Sequence, residues 1–289
     1  MKRPAKPSPT SLGSGGLTRR SVAASALAVA SVSSPALSSA AVGALDEARY
    51  QSAHALTIGM STYARARSLR HGSADALSVA DALAARGFRL HDGAAKTDLT
   101  RKVLVDAVRA FAADVPENGL AFVWISGHGI AHQGQTFLLP SDDQHVRSRA
   151  DLATQAVPLS MIVGWLVARQ NSHAVLFIDT CRANPLPLDS PDGTRANPAI
   201  SDLVAPGSGS NGSVTLIYSA APGQIASDGS PEAGNSPFAL AVLRAIAAGD
   251  LSSPKMFAQL TKQVRSASDG YQTPWMVQAG LAPSLLAEF

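Results

Sequence analysis

Short apolar runs alternate with amphipathic helical segments along most of this chain, and this alternation constrains the fold most strongly. Runs of five or six mainly apolar residues predict buried strands at His54–Gly59, Leu120–Ile125, Ala174–Ile178 and Val214–Tyr218. Strands that are apolar throughout are typical of parallel sheets covered on both faces. We therefore predict an α/β fold with a mostly parallel central sheet and helices on both of its faces.

The segments between these runs have the spacing of amphipathic helices. Five helices are predicted, at Ala74–Arg86, Thr100–Ala113, Leu159–Arg169, Pro237–Ala248 and Ser253–Ser266. Phe88–Asp92 predicts a second strand, and Thr136–Leu139 predicts part of a short hairpin. Residues 183–213 are rich in Pro, Gly, Ser and Asp and have no periodicity, which predicts a long exposed loop.

Composition excludes several classes of protein. The 289 residues are 46% apolar and 16% charged, which excludes a disordered chain and a coiled coil. No run of about twenty apolar residues predicts a membrane span. The single cysteine, Cys181, excludes a disulfide framework and any zinc or iron–sulfur site built on several cysteines.

The net charge of +3 comes from the first forty residues. Five of the 24 basic residues lie there, and without them 19 basic residues face 21 acidic ones. Arg19 and Arg20 precede a mild apolar stretch, and small residues follow it, so residues 1–43 predict a twin-arginine-type signal peptide or a disordered leader. The domain, predicted at residues 44–289, is slightly acidic. Its charge gives no reason to expect a nucleic-acid partner or stable membrane anchoring.

Two predicted strands end in reactive residues. His128 follows Leu120–Ile125, and Cys181 follows Ala174–Ile178. If these strands are parallel neighbours, both residues lie at one edge of the sheet, where a thiol beside an imidazole can become a nucleophilic thiolate. The backbone N–H groups of Gly129 and Cys181 could then form an oxyanion hole. Taken singly, the cysteine could be a small buried hydrophobe and the histidine a turn residue.

These motifs, in this order, resemble the caspase-like cysteine peptidases, and specifically the bacterial metacaspase or orthocaspase-like branch. The resemblance extends from about His54 to Trp275, with a His-to-Cys separation typical of caspases. Its segments are Ala55–Gly59, Leu69–Ala76, Ser126–Gly129, Asp179–Arg182, Tyr218–Gln224, Ala226–Gly229, Asn235–Phe238 and Gln272–Trp275.

The resemblance implies a cysteine endopeptidase that acts on protein or peptide substrates through a dyad of Cys181 and His128. Asp75, Ser126 and Asp179 match positions that line the primary pocket of metacaspase-like enzymes, and two carboxylates there favour cleavage after Arg or Lys. Two alternatives stay open. One is an aspartate-specific peptidase that uses Arg70 or Arg182, and the other is a catalytically silent caspase-fold module that binds peptides.

The resemblance requires no cofactor. Calcium is an alternative, through Asp142, Asp143 and Asp151, because relatives in the metacaspase branch often depend on it. A basic preference would also make Arg195, in the predicted loop, a candidate for self-cleavage. The leader implies a periplasmic or secreted protein, or a cytoplasmic one if the leader is not functional. The oligomeric state stays open.

Overall fold

The computed structural model describes residues 52–168, 173–181, 186, 188, 213–251 and 254–279. All of them belong to one compact unit, residues 38–289, whereas a second unit, residues 1–37, lies outside the described residues. The leader prediction and the Arg195 prediction therefore fall outside the part of the chain that is described. Leu186 is described and is buried in the core, so the prediction of an exposed loop is wrong at that position.

The described residues contain nine β-strands. They are β1 (Ala53–Gly59), β2 (Arg89–Leu90), β3 (Lys96–Thr97), β4 (Leu120–His132), β5 (Gln135–Leu138), β6 (Val157–Pro158), β7 (His173–Cys181), β8 (Ser213–Tyr218) and β9 (Trp275–Ala279). The central path has the order β2-β1-β4-β7-β8-β9, and every pairing along it is parallel except that of β9 with β8. A mostly parallel sheet is thus confirmed, with β9 antiparallel at the edge of this path and β5 and β6 added antiparallel to the far end of β4.

Helices cover both faces of the sheet, as predicted. The six α-helices of the described residues are α1 (Gly72–Ala85), α2 (Arg101–Asp114), α3 (Leu152–Gln155), α4 (Leu159–Val167), α5 (Pro237–Ala248) and α6 (Pro254–Ala267). Apolar residues of α2 and α4 pack on one face, and those of α1, α5 and α6 pack on the other. Alternate residues of β4 and β7 contribute to both cores, which explains their continuous apolar sequence.

The sequence predicts α5 with correct bounds because local signals mark both of its ends. Ser236 is the N-cap and accepts a hydrogen bond from the N–H of Ala239 at 3.0 Å. Pro237 occupies the first turn, where its missing N–H costs nothing. Gly249 ends the helix in the left-handed conformation, with φ of 72°.

The strands β4 and β7 are longer than predicted, and this extension positions the candidate site. The apolar runs predict ends at Ile125 and Ile178, whereas β4 continues to His132 and β7 to Cys181. The two strands pair with each other as far as His128 and Cys181, and β4 then continues to His132 because it pairs with β5. Both reactive residues therefore lie within strands and not in the turns that follow.

None of the helices in the described ranges combines the length and the hydrophobicity needed to cross a membrane.

Candidate active site

The register of β4 against β7 brings the two predicted reactive residues together. Ser126 pairs with Asp179, and His128 pairs with Cys181, in the last step of the parallel ladder. Neighbouring strands lie about 4.8 Å apart, so the two backbones are adjacent at this edge of the sheet. The side chain of Cys181 lies outside the described part of the chain, and its backbone position is what the register defines.

Gly127 allows β4 to pass closely over the loop that follows β1. Its φ of +153° lies in a region that residues with a side chain rarely adopt. A Cβ atom there would lie 2.8 Å from Oη of Tyr63 and 2.9 Å from Cβ of Met60. The glycine before His128 is thus needed both for its conformation and for the close contact with Tyr63.

A single backbone carbonyl determines the tautomer of His128. Its Nε2 lies 2.6 Å from the carbonyl oxygen of Arg67, an acceptor only, so Nε2 carries the hydrogen. In the neutral ring the lone pair is then on Nδ1. Nδ1 is buried and has no hydrogen-bond partner among the described residues. The nitrogen that can accept a proton is therefore the one that the fold leaves unpaired.

Tyr63 supports the same histidine from the side of β1. The pairing of β1 with β4 ends at Ser126, and two residues later the N–H of His128 donates to Oη of Tyr63 at 2.7 Å. The phenol in turn donates to the carbonyl of Met60 at 3.3 Å. The Tyr63 and His128 rings also pack together, with centroids 4.7 Å apart and planes tilted by 42°.

Burial decides the protonation of both rings. It lowers the pKa of His128, and the carbonyl of Arg67 only partly opposes this effect by raising the pKa. Burial also raises the pKa of Tyr63, which keeps the phenol protonated at any physiological pH. His128 is therefore neutral at neutral pH, the form that can act as a base.

A narrow pocket with three carboxylates opens beside this strand edge. It is small, because the centre of a water-sized sphere can occupy only about 20 Å³ of it. Its walls are formed by Leu69, Gly72, Asp75, Gly127, Asp179, Ala226, Ser227, Asp228 and Ser236. Within the described ranges, no basic side chain lines this pocket. Arg70 is exposed, so the aspartate-specific alternative finds no support from it, and Arg182 lies outside the described residues.

Ser236 connects two of these carboxylates at the start of α5. Its backbone N–H donates to Oδ1 of Asp75 at 3.0 Å, and its hydroxyl donates to Oδ2 of Asp179 at 2.5 Å. The side-chain amide of Asn235 also donates to Oδ1 of Asp75, at 2.9 Å. These donors hold both acids at the N-terminal end of a helix, where negative charge is stabilised.

Burial nevertheless raises the pKa of both acids. The pKa of Asp75 rises to about 6, because burial outweighs the hydrogen bonds from Asn235 and Ser236. The pKa of Asp179 rises to about 7, through burial first and the nearby charge of Asp75 second. The pair is therefore only partly ionised near neutral pH, and a cation between the two carboxylates would favour the ionised form.

The third carboxylate, that of Asp228, was not predicted as a site residue, although it lies in a segment that carries the family resemblance. It accepts the backbone N–H groups of Arg70 at 2.8 Å and His71 at 3.2 Å, which ties the pocket wall to the start of α1. Ser126 is buried, and its hydroxyl donates to the carbonyl of Gly72 at 2.6 Å. It does not line the pocket, so its predicted role in substrate binding stays a prediction.

The three aspartates named as candidates for calcium are bonded to protein donors. Asp142 accepts the N–H of Arg101, Asp143 accepts those of Arg65 and Ala66, and Asp151 accepts those of Arg147 and Ser148. Across the described residues, no three His, Cys, Asp or Glu side chains group into a metal site. These three carboxylates do not fit a shared cation, because each already serves a separate backbone turn.

Comparison with known proteins identifies the family. The family model described as the caspase domain matches residues 52–286. The chain belongs to the caspase family. This is a family of cysteine peptidases, so the fold and the general class of activity agree with the expectation from sequence.

The fold is also found in a solved structure. A crystal structure of protein GSU0716 from Geobacter sulfurreducens is similar to this caspase-family chain, with a TM-score of 0.55 and 18% sequence identity. The match covers 79% of this chain and 94% of that one, and at this identity it supports the fold alone. No curated protein matches the chain.

The structure adds supporting groups that the sequence reasoning missed. Tyr63, the carbonyl of Arg67 and Ser236 contact predicted site residues, and Asp228 lines the same pocket as two of them. Asp228 and Ser236 could have been found from sequence, because both lie in segments that carry the family resemblance. Tyr63 and Arg67 gave no comparable signal, since neither a loop tyrosine nor a backbone carbonyl is distinctive in a sequence.

Proposed function

We propose that this protein is a cysteine endopeptidase that cleaves peptide bonds after Arg or Lys, with Cys181 as the nucleophile and His128 as the base. The observation that carries the proposal is the strand register that pairs His128 with Cys181 next to a pocket of three carboxylates. The family supports a cysteine-type peptidase, and the pocket supports the basic preference.

The dyad would work through proton transfer at Nδ1 of His128. Nδ1 takes the proton of the Cys181 thiol, and the thiolate attacks the carbonyl carbon of the scissile bond. The C–N bond then breaks, and the imidazolium returns its proton to the departing amine. Water hydrolyses the remaining thioester and restores the thiol. The hydrogen bond from Nε2 to the carbonyl of Arg67 would keep the ring oriented throughout. This carbonyl is a neutral acceptor and takes no proton itself.

The oxyanion formed during this attack would be held by the N–H groups of Gly129 and Cys181. His128 donates its N–H toward the side of β1, where Tyr63 accepts it. Because successive N–H groups of an extended strand point to opposite sides, the N–H of Gly129 faces the side of β7. That is the side on which Cys181 stands and on which the ladder with β7 ends, so both N–H groups would leave their places in the ladder to stabilise the developing negative charge.

The basic preference would come from the ionised carboxylates of Asp75 and Asp179. A guanidinium or ammonium group that enters the pocket exchanges its hydration for charged acceptors already held by Ser236 and Asn235. An aspartate in the same position would meet three acids and no compensating cation among the residues that line the pocket. The charge of the pocket therefore favours the basic substrate.

The decisive experiment is a peptide-library profile with Lys, Arg or Asp before the scissile bond, measured with and without calcium. We expect cleavage after Arg and Lys, and loss of cleavage in Cys181→Ala with the circular dichroism spectrum unchanged. Preference for Asp would support the aspartate-specific alternative. Binding of the Arg peptide without turnover by the wild-type protein would support the silent peptide-binding module.

Three further expectations belong to this proposal. Export through the leader would place the peptidase in the periplasm or outside the cell. Self-cleavage after Arg195 would follow from the basic preference, and an intact mass in fully active protein would show that activity does not need it. Activity without calcium is expected, since Asp142, Asp143 and Asp151 are each bonded elsewhere.

A further inference from the structure

One loop carries both groups that contact His128. The loop of residues 61–69, here called the histidine loop, connects β1 to the start of α1 and contains Tyr63 and Arg67. Oη of Tyr63 accepts the N–H of His128, and the carbonyl of Arg67 accepts its Nε2–H. The orientation of the imidazole therefore depends on the conformation of a loop that has no α-helix or β-strand of its own.

The histidine loop is fastened to residues 141–146, which follow β5. Oδ1 of Asp143 accepts the N–H of Arg65 at 2.7 Å, and Oδ2 accepts the N–H of Ala66 at 2.8 Å. Nearby, the guanidinium of Arg65 donates to the carbonyl of Val146, and the N–H of Ala64 donates to the carbonyl of Ser141. Both oxygens of one carboxylate are thus used on the two residues that precede Arg67.

The burial of the Asp143 carboxylate has a cost in free energy. The sequence around Asp143 gives no sign that this side chain is buried. Its side chain is 0% exposed, and none of the ion pairs formed by the described residues includes it. A buried carboxylate is unfavourable unless hydrogen bonds compensate for its lost hydration. The two N–H groups provide that compensation, and they can do so only with the histidine loop in this conformation.

We propose that Asp143 is a positioning residue for catalysis: by holding Arg65 and Ala66, it keeps the Arg67 carbonyl against Nε2 of His128. The proposal rests on the proposed function of His128 as the base. Asp143 touches no reacting atom; it belongs to the segment after β5 and bonds to the histidine loop. Its contribution is to keep Nε2 occupied, so that Nδ1 remains the nitrogen with the free lone pair.

The neighbouring Asp142 offers a matched control. Its Oδ1 accepts one backbone N–H, that of Arg101 at the start of α2, at 2.7 Å. It therefore anchors a different element through the same type of hydrogen bond. Asp142→Asn removes a charge from the same turn and leaves the contacts of the histidine loop intact.

The experiment compares Asp143→Asn with Asp142→Asn in the full chain. In Asp143→Asn one carboxylate oxygen becomes an NH₂ group that faces an N–H donor, so the histidine loop should move. We expect kcat for an Arg peptide to fall about 10- to 100-fold with KM changed less than threefold, because a small displacement of a catalytic group has effects of this size. Asp142→Asn should retain kcat within about twofold of the wild type.

A second readout does not depend on substrate. Cys181 is the only cysteine of the chain, so its alkylation by iodoacetamide can be followed by intact mass from pH 5.5 to 8.5. In Asp143→Asn the dependence of the rate on pH should shift toward that of an ordinary thiol, with a pKa of about 8.5. Asp142→Asn should keep the wild-type profile.

Equal effects of the two substitutions on kcat and on alkylation would overturn the proposal, as would a loss of thermal stability in Asp143→Asn with kcat unchanged. If Asp143→Asn does not fold, Arg65→Ala, at an exposed position, tests the same fastening: kcat should fall about threefold, and an unchanged kcat would overturn the proposal. If the wild type cleaves no peptide, the proposed function fails, while the alkylation profiles still decide whether Asp143 controls the environment of Cys181.

Discussion

The histidine end of β4 and the acidic pocket beside it differ in what burial does to their chemistry. Burial lowers the pKa of His128 and raises the pKa of Asp75 and Asp179, so it favours the neutral form in both places. For the histidine, the neutral form is the one that acts as a base. For the pocket, the neutral form is the one that cannot bind a cation.

The two regions also differ in what compensates for burial. His128 is held by groups that carry no charge, the carbonyl of Arg67 and the phenol of Tyr63, and one ring nitrogen has no hydrogen-bond partner among the described residues. Ser236 donates its N–H to Asp75 and its hydroxyl to Asp179. These hydrogen bonds do not remove the repulsion between the two carboxylates. Under the proposed function, the first region is ready in the free protein, whereas the second would be completed by the charge of a basic substrate.

The largest expected effect tests the histidine side alone. His128→Ala removes the base and leaves the pocket unchanged, so kcat should fall by about 10²- to 10⁴-fold while KM for an Arg peptide changes little. Steady-state kinetics from pH 6 to 9 would measure this. If the variant retained more than a tenth of the wild-type kcat, His128 would not be the base, and the assignment of catalysis to the histidine side would be wrong.

Asp179→Asn tests the pocket side and should have two opposite consequences. KM for an Arg peptide should rise about tenfold or more, because a buried carboxylate partner of the cation is lost. The free energy of unfolding should increase at pH 8. The pKa of Asp179 is higher in the folded state than in the unfolded state, so ionisation of Asp179 destabilises the folded wild type, and the substitution removes this effect. Each kcal/mol gained would raise Tm by about 2–4 °C.

Thermal melts of Asp179→Asn at pH 5 and pH 8 separate these consequences. At pH 5 the wild-type Asp179 is already protonated, so the gain in Tm should shrink or disappear. A gain of equal size at both values of pH would show that the charge of Asp179 is not its cause.

The smallest effect is expected from pH in the unmodified protein. As pH falls from 8 to 6, Asp179 and then Asp75 take up protons, so KM for an Arg peptide should rise by about tenfold. Over the same range kcat should change less, because His128 has a pKa below its usual value and a bound cation keeps the acids ionised. The matched control is a citrulline peptide, whose neutral side chain should show a KM that is nearly independent of pH.

The parts of the fold and of the site that could be predicted are those for which the nearby sequence carries a signal. The helix α5 was predicted with correct bounds, and its cap, its proline and its terminal glycine are local signals at those bounds; the parallel sheet was predicted from continuous apolar runs. The strand β9 was missed, because its assignment depends on antiparallel pairing with β8 and Trp275–Ala279 has no strong alternation. Asp143 was considered only as a candidate for binding calcium, although it is fully buried and bonded to the histidine loop.

The sequence by itself determined the fold class, the family resemblance and the pair of residues at two strand ends. These depend on patterns between residues close in the chain and on the order of motifs. Tertiary structure decided that His128 and Cys181 share one register position and that Ser236 serves both pocket acids. It also decided which nitrogen of His128 donates to the carbonyl of Arg67 and which has no partner in the described part of the chain. These are contacts between segments up to 161 residues apart, and packing and burial, which no local pattern records, determine them.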